Sequence, residues 1–91
     1  MLHLQNVTLD NIAKRIKREK MRIVVYGAGM IGKIVAPDMI QRYDLLENID
    51  CYVDCDVRKQ GKYIPIGDKP VKIGSPTVLD SIAQNSILFI T

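Results

Sequence analysis

Three glycines in the stretch "IVVYGAGMIGK", residues 23–33, have the spacing G-x-G-x-x-G. In such a turn the first glycine, Gly27, permits a sharp bend, Gly29 lets a diphosphate approach the main chain, and Gly32 lets a helix pack closely. The unpaired amides and the positive helix end at residues 29–32 would then face the anion. The alternative is that the glycines serve only a tight strand-to-helix turn that binds nothing.

A carboxylate follows the glycine turn at the distance that ribose recognition requires. Asp54 closes the run "CYVD", and an acidic residue about 20 positions beyond the glycines can accept hydrogen bonds from both ribose hydroxyls of an adenosine. Its charge would repel a 2′-phosphate, so we expect NAD, with NADP as the alternative because Arg58 and Lys59 lie nearby. The other interpretations of Asp54 are a loop residue or a helix cap.

No arrangement of side chains in the sequence predicts catalysis. None of the four tyrosines is followed four positions later by lysine, as in the dyad of the short-chain reductases, and no G-x-S-x-G motif is present. Asp54 and Asp56 could form an acid–base pair, but we expect one ribose ligand and one loop carboxylate. Lys33 could approach a phosphate, but we expect an exposed helix lysine. We therefore assign no catalytic residue, and whether the chain belongs to an enzyme stays open.

Helices and strands must alternate to position these residues. Thr8 is expected to cap the first helix, Ser75 to cap the last with Pro76 at its first position, and Pro37 to kink the middle one. The hairpin is expected to turn at residues 67–68. The predicted elements are a helix over 8–20, a strand over 22–26, a helix over 30–42, a strand over 49–54, a hairpin over 61–74, a helix from 75 and a strand over 86–91.

This alternation predicts an α/β fold, because strands separated by helices pair in parallel through right-handed crossovers. We expect a Rossmann-like three-layer half-domain with a parallel sheet of about three strands, preceded by an N-terminal amphipathic helix. We expect residues 1–20 to form that basic helix and residues 21–91 to form a nucleotide-binding domain that belongs to a longer protein. The open edge of the sheet is where a second copy could pair to give a homo-oligomer.

Composition is typical of a small globular domain, with 91 residues of which 47% are hydrophobic. No apolar run is long enough to span a membrane and no signal peptide is evident, so we expect a cytoplasmic protein without a transmembrane segment. Cys51 and Cys55 lie too far apart along a strand for a disulfide, and with the single distant His3 they form no metal site. We expect free thiols and no metal.

The positive charge is concentrated at the N-terminus. The net charge is +3, and residues 1–22 contain six basic and two acidic side chains. No aromatic residue accompanies the basic face of the first helix. We therefore expect a solvated surface, and not a nucleic-acid or membrane partner.

The glycine turn together with "YVDCDVRKQGKYIPIGDKPV" resembles Rossmann-like modules of bacterial nucleotide-sugar and surface-polysaccharide biosynthesis. Such modules occur with sugar O-acyltransferases, with capsule-type epimerases and dehydratases, and with some glycosyl- and methyltransferases. The matching residues after the turn are Val53, Asp54, Asp56, Lys59, Gly61, Ile66, Gly67, Pro70 and Val71. The resemblance covers residues 21–91.

The resemblance implies phosphate contacts from Gly27 to Ile31, with Asp54 and Cys55 beside the ribose or base and Thr91 at the same crevice. In such modules the ligand is NAD(P) in some members and a nucleotide-sugar in others. The predicted cofactor-binding residues are Gly27, Ala28, Gly29, Met30, Ile31, Gly32, Asp54, Cys55 and Thr91.

Three functions follow from these observations. The first is a dinucleotide-binding module, for NAD, of a larger nucleotide-sugar or polysaccharide biosynthesis enzyme. The second is the nucleotide-sugar-binding domain of a sugar acyltransferase or glycosyltransferase. The third is a non-catalytic redox-sensing or oligomerisation domain.

Overall fold

The computed structural model describes residues 2–81 and 85–91, with side chains from residue 9 onwards. It has an α/β fold built on one five-stranded sheet. The elements are α1 (Leu2–Glu19), β1 (Arg22–Tyr26), α2 (Met30–Arg42), β2 (Ile49–Val53), β3 (Tyr63–Ile66), β4 (Lys69–Gly74), a 3₁₀ helix (Pro76–Ser81) and β5 (Ser86–Ile90). None of the helices within the described ranges is long and apolar enough to cross a membrane.

The sheet is mostly parallel, in the order β3-β4-β2-β1-β5. β1 pairs in parallel with β2 on one side and with β5 on the other, β4 pairs in parallel with β2, and β3 alone is antiparallel. The prediction of about three strands was too low. The hairpin formed as predicted, with its turn at residues 67–68, but both of its strands also join the sheet because Val71 and Ile73 bury one face of β4.

The core lies between the two α-helices and one face of the sheet. Ile23 and Val25 of β1 belong to one apolar cluster there, and Val24 between them is also fully buried but lies outside that cluster. The same cluster contains Ala13 and Ile16 of α1 and Ala36 and Ile40 of α2. α1 and α2 therefore share one layer, and the three-layer arrangement stays a prediction. The remaining members of the cluster are Ala28, Leu45, Ile49, Tyr52, Ile64, Ile66, Val71 and Ile73.

Two helices differ from their predicted form. α1 begins at Leu2, so Thr8 lies inside it and is not its cap, because no glycine or proline at residues 2–7 stops the helix earlier. The last helix begins at Pro76 as predicted but is 3₁₀, not α, through Ser81. Its β-branched residues disfavour an α-helix, and Ser75 Oγ bonds a side chain rather than the helix amides. The predicted continuation through residues 82–84 lies outside the described ranges.

α2 is one uninterrupted helix across Pro37, and the kink that the sequence predicted there stays a prediction. Pro37 is buried against the rest of the fold. Its ring removes the amide that would bond the carbonyl of Lys33. The helix nevertheless keeps its predicted limits, Met30 and Arg42.

β5 and β3 are the two edges of the sheet, and they differ in character. β3 contains Pro65, which protects an edge from pairing with another chain. β5, with the sequence SILFI, contains neither proline nor charge, and Ile90 is exposed. Self-association through the β5 edge stays a prediction.

Tyr52 connects the sheet to α2 and provides a test of the packing. It is fully buried, and its hydroxyl donates to the carbonyl oxygen of Gly32 at 2.6 Å. Burial raises the pKa of Tyr52 to about 12. We expect Tyr52→Phe to lower the free energy of unfolding by about 1 kcal/mol in urea titrations, because one buried hydrogen bond is lost. Tyr63→Phe, at a site 59% exposed, is the control and should not change it. Equal losses in both variants would contradict this packing.

Candidate functional site

The glycine turn joins the end of β1 to the start of α2, and its first glycine is required by the fold. Gly27 has φ +111°, a conformation that favours glycine, and its amide donates to the carbonyl of Val53 at 2.7 Å. A Cβ on Gly27 would also collide with the hydroxyl of Thr91. The turn is therefore tied to the ends of both neighbouring strands, β2 and β5.

Gly32 is also required by the fold, for a different reason. A Cβ on Gly32 would collide with the carbonyl oxygen of Gly27, because the first turn of α2 packs directly onto the bend. This is the close helix–strand approach that the sequence predicted for the third glycine.

Gly29 is not required by the fold. Its φ is −80°, which any residue adopts, and a Cβ placed on it would meet no atom within 4 Å. The space in front of its main chain is open. A glycine at this position leaves room for something outside the chain, as the sequence predicted for a diphosphate.

The start of α2 presents unpaired donors beside this open space. Gly29 is the N-cap and contributes no side-chain bond, and no acidic residue lies in the first turn. The amides of Met30, Ile31 and Gly32 belong to the group that has no acceptor within a helix. The side chains of Met30 and Ile31 are exposed. The positive end of the helix dipole is therefore not compensated from within the helix.

Asp54 follows β2, and its carboxylate faces the turn. Oδ2 accepts the amide of Ala28 at 2.8 Å and Oδ1 accepts the amide of Asp56 at 2.8 Å. The Asp56 amide, followed by the Ala28 amide, lowers the pKa of Asp54. An ionised carboxylate thus ties the loop after β2 to the turn. Each oxygen retains lone-pair capacity, so a ribose hydroxyl could still donate to it.

Further contacts order the loop between β2 and β3. Gln60 Nε2 donates to the main-chain carbonyl of Asp54 at 2.9 Å. The guanidinium of Arg58 binds both carboxylate oxygens of Asp56, at 3.1 and 3.0 Å, and lowers the pKa of Asp56 to about 2. Lys59 Nζ lies 3.9 Å from Asp54 Oδ2. The loop therefore places cations beside the predicted ribose position.

Cys55 pairs with a residue that the sequence did not single out. Its Sγ lies 3.0 Å from the hydroxyl of Tyr26, the last residue of β1, and either atom can donate. The hydrogen bond to Cys55 raises the pKa of Tyr26. Both cysteines are free thiols, as predicted, and burial raises the pKa of Cys51. Tyr26 precedes Gly27 directly, but only the parallel pairing of β1 with β2 brings it to Cys55.

Thr91 follows β5 and reaches the turn from the opposite side. Its amide donates to the carbonyl of Tyr26 at 2.9 Å, and its hydroxyl lies 3.1 Å from the carbonyls of both Tyr26 and Gly27. The structure therefore brings the predicted site residues together at the carboxyl ends of β1, β2 and β5. Sequence reasoning missed Tyr26 and Gln60, and Gln60 has no local sequence signal.

A cavity of about 570 Å³ lies at the other end of the sheet, away from the glycine turn. It is lined by Lys17, Lys20, Arg22, Asp44, Glu47 and Asn48. Two of its three cations are paired within the chain, since Lys17 Nζ binds Asp44 at 3.0 Å and Arg22 lies 3.8 Å from Asp50. Two carboxylates line the cavity beside the three cations, so its net positive charge is small. Across residues 2–81 and 85–91, no group of three histidine, cysteine or acidic side chains is arranged to hold a metal ion.

Comparisons with protein-family models, with curated proteins and with solved structures found no match to this chain. The site is therefore characterised by its geometry.

The two amides on Asp54 predict a pH-dependent stability. In Asp54→Asn the side-chain nitrogen must face one of the two backbone N–H donors. We therefore expect the free energy of unfolding to fall by about 1 kcal/mol at neutral pH. Because folding lowers the pKa of Asp54, the stabilisation is present above its ordinary pKa of about 4 and disappears as the pH falls through the folded value. Urea unfolding should show that the difference in free energy of unfolding between variant and wild type is smaller at acidic pH than at neutral pH.

Asp10→Asn, at an exposed position on α1, is the matched control and should unfold like the wild type at neutral pH. A difference between Asp54→Asn and wild type that persists unchanged in acid would show that the charge of Asp54 does not hold the turn.

Proposed function

We propose that this chain is a Rossmann-like module that binds a nucleotide through its diphosphate at the glycine turn. The observation that carries the proposal is Gly29. The fold requires Gly27 and Gly32, but the open space and ordinary φ at Gly29 show no structural demand for a glycine. A diphosphate bound to the amides of residues 29–32 would explain the glycine, because it needs the space that a side chain at residue 29 would occupy.

The strand order supports the same proposal. The parallel strands lie in the order β4-β2-β1-β5, which is third, second, first and fourth along the chain. This is the order of the first strands in the dinucleotide-binding sheet, whose ligand lies at the carboxyl ends of the strands where the order reverses. Here the reversal lies between β1 and β5, which the glycine turn and Thr91 border.

The ligand that fits the remaining residues is a dinucleotide of the NAD type. Its diphosphate would lie on the turn, and its ribose beside Asp54 at the end of β2. Cys55 would border the crevice beside the base, and Thr91 would border it on the side of β5. The module's part in any reaction is to bind and orient the nucleotide, since the residues gathered here include no assigned catalytic group.

The resemblance of residues 21–91 to modules of nucleotide-sugar and surface-polysaccharide biosynthesis gives the proposed setting, a larger enzyme of that metabolism. A nucleotide-sugar is the competing ligand, because its diphosphate suits the same amides. UDP-sugars and NAD must therefore be compared in the same experiment.

Gly29→Asp separates folding from binding. At the N-cap, an aspartate can accept the free amides of the first turn, so we expect the free energy of unfolding to equal that of the wild type or to exceed it by roughly a few tenths of a kcal/mol. The side chain occupies the open space and repels a diphosphate. We expect the affinity for NAD, measured by calorimetry, to fall by at least about tenfold, the loss of roughly one charge-assisted hydrogen bond.

Gly29→Asn is the matched variant, with a similar size and the same capping ability but no charge. We expect it to weaken binding less than Gly29→Asp does. Unchanged NAD affinity in both variants would overturn the proposed site. Binding of a UDP-sugar that Gly29→Asp abolishes, without any binding of NAD, would instead identify the nucleotide-sugar as the ligand.

A further inference from the structure

A second cavity, of about 370 Å³, lies beside the glycine turn between α2 and the loop that follows β2. Lys33 lines it from the first turn of α2, where its amide bonds the carbonyl of Gly29 at 2.9 Å. The other lining residues are Asp56, Arg58, Lys59, Lys62, Tyr63, Ile64 and Ile73. Four of these eight side chains are basic and one is acidic, so the cavity is strongly positive.

The positive charge of this cavity is only partly neutralised by the chain. Asp56 is already bound to Arg58, and the nearest carboxylate oxygen to Lys59 is 3.9 Å away, on Asp54. Within the described part of the chain, no carboxylate lies within 4.0 Å of the ammonium groups of Lys33 or Lys62. Two lysines therefore face the cavity with their charges available to a ligand.

The negative charge of Asp54 is partly offset in the structure. The sequence argument for NAD over NADP depends on a carboxylate that repels a phosphate on the ribose. Two backbone amides at 2.8 Å and the ammonium of Lys59 all lie against this carboxylate. Its repulsion of a neighbouring phosphate is correspondingly reduced, because the amide dipoles and the lysine oppose its field.

The floor of the cavity is apolar. Ile64 and Ile73 are almost fully buried beneath it, while Tyr63 is 59% exposed at its rim. An apolar floor with a cationic rim suits a group that combines carbon surface with concentrated negative charge. A phosphate monoester on a ribose has this character.

We propose that this cavity binds a phosphate monoester carried by the nucleotide whose diphosphate lies on the glycine turn, so that the preferred ligand is a phosphorylated dinucleotide of the NADP type. This inference rests on the proposed function, because the turn must hold the rest of the nucleotide. Lys33 and Lys62 bind the monoester directly. Arg58 and Lys59 line the rim, and their charges are partly offset by Asp56 and Asp54.

The test is calorimetric titration of the full chain with NADP, NAD and inorganic phosphate. The variant is Lys33→Gln with Lys62→Gln, and the matched control is Lys14→Gln with Lys20→Gln, which removes the same charge from exposed positions on and after α1. We expect the wild type to bind NADP about tenfold more tightly than NAD, the value of one charge-assisted contact. The cavity variant should lose this preference because its affinity for NADP falls by about tenfold more than its affinity for NAD, and the control should retain the preference.

The outcomes separate this inference from the proposed function. Equal affinity for NAD and NADP in the wild type, or a preference that survives in the cavity variant, overturns the inference. If Gly29→Asp still abolishes binding of both nucleotides in that case, the proposed function stands. NADP binding that depends on the lysines, competes with inorganic phosphate and ignores Gly29→Asp identifies a free-phosphate site and overturns both. Absence of binding by NAD, NADP and UDP-sugars alike overturns both, whereas binding of a UDP-sugar alone overturns only this inference.

Discussion

The packing of the Gly27 carbonyl against the α-carbon of Gly32 is the contact on which the site depends. It presses the first turn of α2 onto the end of β1 and leaves no room for a Cβ. As a result, the free amides of the helix face the carboxyl ends of the strands and not the solvent beside the sheet. Asp54 from β2 and Thr91 after β5 then bind the turn from either side. Because contacts with the ends of three strands hold this bend in place, it is preorganised before any ligand binds.

The three glycines therefore have separable roles, and the separation supports a binding function. Backbone conformation and close contact account for Gly27 and Gly32 without any ligand. Neither accounts for Gly29, whose surroundings are open. The same distinction applies to Asp54, which has a structural role on two amides and lone-pair capacity left for a ribose. The loop residues beyond it then decide which nucleotide the crevice prefers, because they set the charge around the ribose.

The sequence predicted the local elements well and the non-local contacts poorly. Apolar runs and glycine or proline punctuation placed β1, β2, β5, α2 and the hairpin turn, because these depend on neighbours in the chain. The pairing of β4 beside β2 was missed, since it depends on contacts such as Val53 with Gly74 that no local pattern encodes. The contact of Asp54 with Ala28 and the pairing of Tyr26 with Cys55 were missed for the same reason. The early start of α1 was missed because a favourable N-cap residue, Thr8, is no barrier to a helix that begins before it.

The most direct measurement of the central claim is the set of amide chemical-shift changes in nuclear magnetic resonance spectra during titration with inorganic pyrophosphate. The account predicts saturable changes that are largest at the amides of Met30, Ile31 and Gly32, where unpaired donors meet the anion. Changes that are largest around Lys17, Lys20 and Arg22, at the opposite ends of the strands, with the turn unaffected, would contradict it.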